Sequence, residues 1–279
     1  LPFVLEASYN RTPLKLEGVL DIPAFKATLS PSGTVNTAGF SITGLKGRLT
    51  LDPLWPPVLP DGQVLEAQAV DAGLPFRMAR LVFGFRDNRL KLAEAGAQLF
   101  GGSVKLDPVT LSLPLQKADF MAQVTDIDLG QALLMANVEG LAGTGRLSGR
   151  VPLSYDRGQI VFGETAMKAS EAGTITYHPA QLPSFLAEGG QAQLLGQVFK
   201  NFAYDGLTLT LGGKLGDNLT LGARLEGRNP EFYNGRAVAF NLNLSGALDS
   251  VLKNGLANFH FSPEALKTMM QLEQGAPVP

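Results

Sequence analysis

Few side chains in this chain of 279 residues have the types and spacing that catalysis or metal binding requires. The sequence has no Cys and only two His, His178 and His260. His260 alternates with phenylalanines and His178 follows an alternating segment, so both are interpreted as strand or strand-end residues rather than ligands or bases. A metal site would then depend on carboxylates, which suit Ca²⁺ or Mg²⁺.

Two further patterns resemble functional motifs only superficially. Asp126 and Asp128 could bind a hard cation, but Asp128 is better explained as the N-cap of a short helix ending at Asn137. The glycine-rich run 143–149 lacks the Lys-Ser/Thr ending and following helix of a phosphate-binding loop, which favours a turn followed by a strand. No G-x-S-x-G motif is present. We therefore expect no catalytic residue, no metal, no cofactor and no enzymatic activity.

The composition narrows the class of partner. Charged residues make up 17% of the chain, against about 25% in an average soluble protein. Its 32 Gly are also above the usual share, so uncharged residues replace part of the ordinary solvated surface. The net charge is −2, from 23 basic and 25 acidic residues, which provides no electrostatic footprint for DNA or RNA. We expect no nucleic-acid partner.

The first residues indicate a fragment. Residues 1–5 lack the basic region, apolar core and cleavage site of a signal peptide, and no apolar run approaches the ~18 residues of a membrane span. The chain has no initiator Met. We therefore expect it to be the excised C-terminal part of a longer protein.

Alternation of apolar and polar residues is the commonest pattern and predicts strands. In residues 78–86, alternate positions are apolar, and residues 117–124 repeat the scheme. Residues 207–211, 219–225 and 240–244 are more regular still. Gly212-Gly213 with residues 216–218 separates the first two, and 228–230 with Asn234-Gly235 separates the last two. Consecutive antiparallel hairpins of this kind make a meander.

Helices are predicted to be few and short. Besides the one capped by Asp128, residues 191–199 are amphipathic and Ser262-Pro263 can begin a helix that carries Leu272. The proline-rich segment 52–62 should be a loop or an edge crossing and not a central strand, because each Pro removes a ladder donor.

The apolar face of such a meander needs cover, and two architectures provide it. The sheet can close into a sandwich or barrel with a dry core. Alternatively, it can bend lengthwise into a trough whose inner face holds a hydrophobic ligand. In the second case we expect the following residues to line the lipid-binding groove, with core packing as the alternative for any one of them: Phe83, Phe85, Phe120, Leu209, Leu221, Phe240, Leu242 and Leu244.

Several stretches, taken in order, resemble the C-terminal region of the YdbH-like family, relatives of the AsmA/TamB envelope proteins. They begin with Phe100-Gly101-Gly102-Ser103-Val104 and continue with Val124-Thr125-Asp126-Ile127-Asp128-Leu129. The remaining ones are residues 140–153, 173–177, 202–207, 225–230 and 240–244. Together they cover most of residues 80–262. Each motif is little more than glycines and alternation, and the specificity lies in their order and spacing.

The resemblance implies a fold, a function and partners. The fold is mainly β, a long antiparallel meander curved into an open, taco-like groove with a few short helices. From the length of the chain we expect one elongated segment over residues 1–279, or two halves, 1–138 and 139–279. The implied protein is periplasmic, anchored in the inner membrane, and conducts phospholipids between the inner and outer bacterial membranes. A small outer-membrane lipoprotein would pair with the sheet edge by β-augmentation. The alternative is a structural or assembly β-sandwich module of the cell envelope without lipid conduction.

Overall fold

The computed structural model describes residues 1–9, 12–22, 24–37, 40–178, 196–214 and 219–243. These residues form one antiparallel sheet of 17 strands that does not close on itself. In chain order the strands are β1 (Pro2–Tyr9), β2 (Thr12–Asp21), β3 (Lys26–Thr37), β4 (Phe40–Leu51), β5 (Leu59–Asp71), β6 (Pro75–Arg86), β7 (Arg89–Leu99), β8 (Gly102–Leu106), β9 (Val109–Ser112), β10 (Lys117–Asp128), β11 (Leu141–Gly143), β12 (Arg146–Asp156), β13 (Gln159–Ala169), β14 (Gly173–Tyr177), β15 (Phe202–Lys214), β16 (Thr220–Arg228) and β17 (Val238–Asn243). The fold is therefore mainly β, as predicted, with one antiparallel sheet that stays open, consistent with a curved groove.

Local sequence explains why these residues form hairpins. The β6–β7 connection is Asp87-Asn88, and both residues have positive φ angles, 50° and 57°. A two-residue turn with two positive φ angles matches the twist of antiparallel strands, and Asp and Asn tolerate it better than most residues. The turn brings Arg86 directly opposite Arg89 and continues the register to Phe83 and Leu92.

Most strands pair with the next strand in the chain, as a meander requires. The exceptions are two branch points. β7 pairs with β9 through its first residues and with β8 through its last, and β8 then pairs with β10. Likewise β15 pairs with both β13 and β14, while β11 pairs with β14 and β10 pairs with β12. The sheet is thus continuous from β1 to β17.

The larger buried cluster lies where β7, β10, β12, β15 and β16 meet the helical segments. Helix α1 (Leu129–Ala136) begins at the predicted N-cap, where the Asp128 carboxylate accepts a hydrogen bond from the Gln131 amide at 2.9 Å, and its C-cap is Asn137. Residues 196–198 are also helical. Together the strands and helical segments bury the first cluster: Leu99, Ile127, Leu129, Leu147, Val198, Phe199, Phe202, Tyr204, Leu207 and Leu225.

A second, smaller cluster lies in the first half of the sheet. Its buried members are Phe83, Leu92 and Leu111, from β6, β7 and β9. Partly buried residues such as Phe120 pack against them. The described part of the chain therefore packs two separate apolar clusters along one sheet.

The interpretation of the proline-rich segment is partly wrong. Residues 52–58 do connect β4 and β5, but β5 begins at Leu59 and includes Pro60, although β5 is an interior strand. The register shifts between Leu59 and Gln63, so Pro60 has no cross-strand partner and removes no ladder bond. The Gln63 side chain replaces ladder bonds there: its Oε1 accepts from the Thr50 amide at 2.7 Å and its Nε2 donates to the Pro60 carbonyl at 2.9 Å.

Other expectations differ in detail or lie outside the described residues. Gly212 and Gly213 do not separate strands, because β15 continues through Lys214 and Gly212 pairs with Thr220. The predicted helix after Ser262, Leu244 and His260 lie outside the described residues. Among the residues with described structure, no helix has the length and hydrophobicity needed to span a bilayer.

Candidate functional site

The predicted groove residues that the structure describes share one face of the sheet. Side chains directly opposite in a ladder lie on the same face, as do positions two apart in one strand. In the second half the face can be followed from Val124 to Leu242 through successive pairs: Val124 with Gly149, Gly149 with Met167, Met167 with Leu209, Leu209 with Ala223, and Ala223 with Leu242. Leu221 and Phe240 lie on the same face because they pair with Leu211 and Leu225.

The first half of the sheet continues this face. Phe120 lies four residues before Val124 on β10, and Ala122 between them pairs with Leu106. Leu106 pairs with Ala95, and Ala95 pairs with Leu81 of β6. Phe83 and Phe85 follow Leu81 at two-residue spacing. We call this surface the inner face: the seven residues Phe83, Phe85, Phe120, Leu209, Leu221, Phe240 and Leu242, with the residues that connect them in register.

Exposure varies along the inner face. Phe83 is buried, with 8% of its surface exposed, whereas Phe85, Phe120, Leu209 and Leu221 are half-buried. A closed sandwich would exclude such side chains from solvent, since facing sheets interdigitate across about 10 Å. The sheet is instead open, and much of its apolar face is only partly covered by the protein itself.

Phe240 packs against two other aromatic side chains. Its ring centroid lies 5.5 Å from that of Phe199 and 5.7 Å from that of Phe202. These spacings are typical of favourable aromatic pairs. Phe240 therefore borders the first buried cluster, whereas Leu221 and Phe85 lie outside both clusters of the described residues.

The opposite surface, which we call the outer face, carries the charges. Glu66 of β5 contacts Lys46 at 3.2 Å and Arg80 at 2.8 Å on the two flanking strands. Hydrogen bonds from these two cations hold the pKa of the Glu66 carboxyl below its ordinary value. Near the β12–β13 turn, hydrogen bonds from Arg157 and Lys117 likewise lower the pKa of Asp156. The sheet thus separates a charged face from an apolar one.

In the part of the chain that the structure describes, the His and Asp residues considered in the sequence form no metal site. His178 is exposed at the end of β14, and its backbone amide donates to the Gly140 carbonyl at 2.7 Å. Asp128 caps α1, as predicted. Within the described ranges, no three His, Cys, Asp or Glu side chains are placed to hold a metal ion.

Two structurally important residues were not identified from the sequence. The buried hydroxyl of Tyr204 donates to the Thr144 carbonyl at 2.6 Å. The buried Asn229 amide donates to the carbonyls of Gln197 and Val198, at 3.1 and 2.9 Å. The Tyr204 bond holds the β11–β12 connection against β15, and the Asn229 bonds hold the helical residues 197 and 198 next to the end of β16. In the sequence, each is a polar residue within an apolar segment or a turn. That pattern suggests a hydrogen bond but does not identify the residue that accepts it.

Comparison with known proteins identifies a family. A sequence model of the YdbH-like family, described as the intermembrane phospholipid transport protein YdbH, matches residues 18–257. Searches of curated proteins and of solved structures each give no match. The family match spans most of the strands that form the inner face, from β2 to β17. This chain therefore belongs to the YdbH-like family, a family of intermembrane phospholipid transport proteins.

Proposed function

We propose that the inner face binds phospholipid acyl chains and conducts phospholipids between the inner and outer bacterial membranes. The observation that carries this proposal is the continuity of the apolar face, which can be followed in register from β6 to β17. A ligand that moves along a protein needs an uninterrupted path of compatible chemistry. The charged outer face supplies solubility, so the inner face need not be polar.

The dimensions support acyl-chain binding. Neighbouring strands lie about 4.8 Å apart, so the nine strands that the path from β6 to β17 crosses give a face of about 40 Å. An extended acyl chain of sixteen carbons is much shorter than this. Burial of each methylene is worth about 0.8 kcal/mol, so even partial burial of one chain can offset the cost of association.

The partial exposure of the face supports a bound ligand that moves. Phe85 and Leu221 are half-buried side chains outside both clusters, and bound lipid would remove their remaining apolar surface from water. A surface already covered by protein could bind lipid only by opening its core. An open apolar face needs no such rearrangement.

We propose that the chain acts in the periplasm and that the protein is anchored in the inner membrane. The family's transport of phospholipid between membranes supports this setting. We propose that the chain acts as one elongated segment of the conduit, since β10 and β12 pair across the boundary between its two halves. We also propose that a small outer-membrane lipoprotein adds a strand to an open sheet edge.

Native mass spectrometry with lipid extraction tests the proposal. Leu221→Asp places a charge on the inner face, and Thr220→Asp places the same charge on the exposed neighbour that faces outward. We expect wild-type protein and Thr220→Asp to retain phospholipid at the same stoichiometry. Leu221→Asp should reduce lipid occupancy about tenfold, because a carboxylate beside an acyl chain loses solvation without a partner.

Two outcomes would contradict the proposal. One is equal lipid occupancy in all three folded proteins. The other is wild-type protein that carries no phospholipid and takes up none from vesicles. The second result would favour the alternative function, a structural or assembly module of the cell envelope.

A further inference from the structure

A cleft of about 870 Å³ lies where the β6–β7 hairpin meets the start of β5. It is lined by residues of opposite character: apolar Leu59, Pro60 and Phe85; cationic Arg86, Arg89 and Lys91; acidic Asp61 and Asp87; and small Gly84 and Thr110. The cleft therefore joins an apolar surface to a cationic one within a single hollow.

Register places the cations of the cleft on the outer face. Arg86 pairs directly with Arg89, and Arg89 pairs with Ser112 of β9. The next row consists of Gly84, Lys91 and Thr110. The two guanidinium groups and the Thr110 hydroxyl thus extend from neighbouring positions of three adjacent strands, and all three residues are exposed.

The Arg86–Arg89 pair places two like charges directly opposite each other. Directly opposite residues have Cβ atoms about 4.5–5.5 Å apart, and like charges at such positions destabilise a hairpin. Some cations of the outer face have carboxylate partners, such as Arg80 with Glu66 and Arg150 with Asp107. In the described part of the chain, no carboxylate lies within ion-pair distance of Arg86 or Arg89. A bound anion would relieve this repulsion.

The third cation has a different role. Lys91 Nζ lies 2.6 Å from an oxygen of Asp61, so its charge is already balanced. Asp61 in turn packs over Gly84, where any side chain would overlap the Asp61 carboxylate. The Lys91–Asp61 pair therefore forms a wall of the cleft, and the two arginines remain available to a ligand.

The apolar side of the cleft belongs to the groove. Leu59 pairs with Phe85, and Phe85 pairs with Leu90 on the inner face. Phe85 and Arg86 are the last two residues of β6, and their partners Leu90 and Arg89 are the first two of β7, so the inner face and the two arginines meet at the end of this hairpin. A molecule at this end of the hairpin can contact both. Only an amphipathic ligand, apolar at one end and anionic at the other, would use both surfaces.

We propose that Arg86 and Arg89 bind the phosphate of a phospholipid whose acyl chains lie on the inner face beside Phe85. This inference rests on the proposed function and adds a headgroup site at the edge of the conduit. Arginine suits the role because its planar guanidinium donates paired hydrogen bonds to phosphate oxygens. The site recognises the phosphate that all phospholipids share.

Isothermal titration with two matched lipids tests the site. Dihexanoylphosphatidylglycerol, below its micelle concentration, carries the phosphate, and dihexanoylglycerol has the same tails without it. We compare the double variant Arg86→Gln, Arg89→Gln with the control Arg150→Gln, Arg157→Gln, which removes the same charge from exposed, ion-paired positions. We expect the first variant to weaken phosphatidylglycerol binding roughly tenfold or more and to leave dihexanoylglycerol binding unchanged. The control should bind both lipids as wild type does.

Each other outcome identifies what has failed. Equal weakening in both variants would overturn the site, because it would show a general charge effect. No weakening in either, with both lipids bound, would also overturn the site while leaving the proposed function intact. If wild type binds neither lipid, the proposed function itself fails. Inorganic phosphate that binds wild type as tightly as phosphatidylglycerol would overturn the lipid assignment in favour of a free-phosphate site.

Discussion

The Tyr204 hydroxyl donates a 2.6 Å hydrogen bond to the carbonyl of Thr144, a residue 60 positions earlier in the chain. Tyr204 is fully buried, and Gly145 and Gly173 lie so close to its hydroxyl that a side chain on either would overlap it. The glycine-rich connection between β11 and β12 is thus shaped to receive this tyrosine from β15. The contact ties the strands beneath α1 to the centre of the first buried cluster.

Tyr204→Phe should destabilise the protein by about 1–1.5 kcal/mol, because it removes the hydrogen bond from a buried hydroxyl to the Thr144 carbonyl. Urea unfolding followed by circular dichroism measures the change. Tyr155→Phe is the control, since Tyr155 is a half-buried strand residue of β12. Its effect should stay within about 0.5 kcal/mol. Equal losses in the two variants would contradict the importance of the Tyr204 hydroxyl.

The same hydroxyl should make stability sensitive to alkali. Burial, followed by the nearby charge of Glu171, raises the pKa of Tyr204 above its ordinary value of 10.0. A group whose pKa is raised on folding contributes stability below its unfolded pKa, and this contribution falls as pH rises through the folded pKa. The difference in urea midpoint between wild type and Tyr204→Phe should therefore be constant from pH 7 to 9 and shrink above pH 10. A difference that grows above pH 10 would contradict the assignment.

Gly145→Ala should be more destabilising than a comparable change at another glycine of positive φ. Gly145 has φ 127° and lies against the Tyr204 hydroxyl, whereas Gly158 has φ 93° and open space where a Cβ atom would lie, with no neighbouring atom within 4 Å. Both alanines incur backbone strain, but only the first also overlaps the tyrosine. We expect Gly145→Ala to cost about 1–3 kcal/mol more than Gly158→Ala. Adding Tyr204→Phe should reduce that excess, and an unchanged excess in the double variant would argue against the overlap.

Asn229→Ala should loosen the helical residues 196–198 and the adjoining Phe199, which packs against Phe240 of the inner face. The buried Asn229 side chain donates to Gln197 and Val198 and accepts a 2.8 Å bond from the Glu231 amide. Removing all three bonds should cost about 2–3 kcal/mol and speed amide exchange near residues 196–199. Urea unfolding measures the first effect, and hydrogen exchange with mass spectrometry measures the second. Asn241→Ala, at an exposed position of β17, should change neither; accelerated exchange throughout the sheet would instead indicate global destabilisation.

Local sequence patterns predicted where the strands lie better than they predicted which strands pair. Alternation located β15, β16 and β17, and the Asp128 cap located α1, because these depend on residues close in sequence. The branches at β7 and β15 depend on register between distant strands, which no local pattern encodes. Pro60 was misassigned for a related reason, since its tolerance in β5 depends on a bulge opposite β6.

For the candidate site, too, the face on which a residue lies could be predicted, but its packing could not. Alternation placed Phe85 and Leu221 on one face, and the register agrees. It could not distinguish the packed Phe240 from the less covered Leu221, because packing depends on Phe199 from a separate segment. The arginine cleft was also missed, although Arg86 and Arg89 bracket a two-residue turn, because its apolar wall comes from the start of β5.

Photocrosslinking tests the central claim, that phospholipid moves along the inner face, most directly. The photoreactive residue p-benzoylphenylalanine replaces Phe120 or Leu221 on the inner face, or their outward neighbours Asp119 and Thr220, in protein incubated with labelled phospholipid vesicles. We expect lipid adducts at Phe120 and Leu221 and only background labelling at Asp119 and Thr220. Equal labelling on the two faces, or no adduct at either inner position in folded protein, would contradict it.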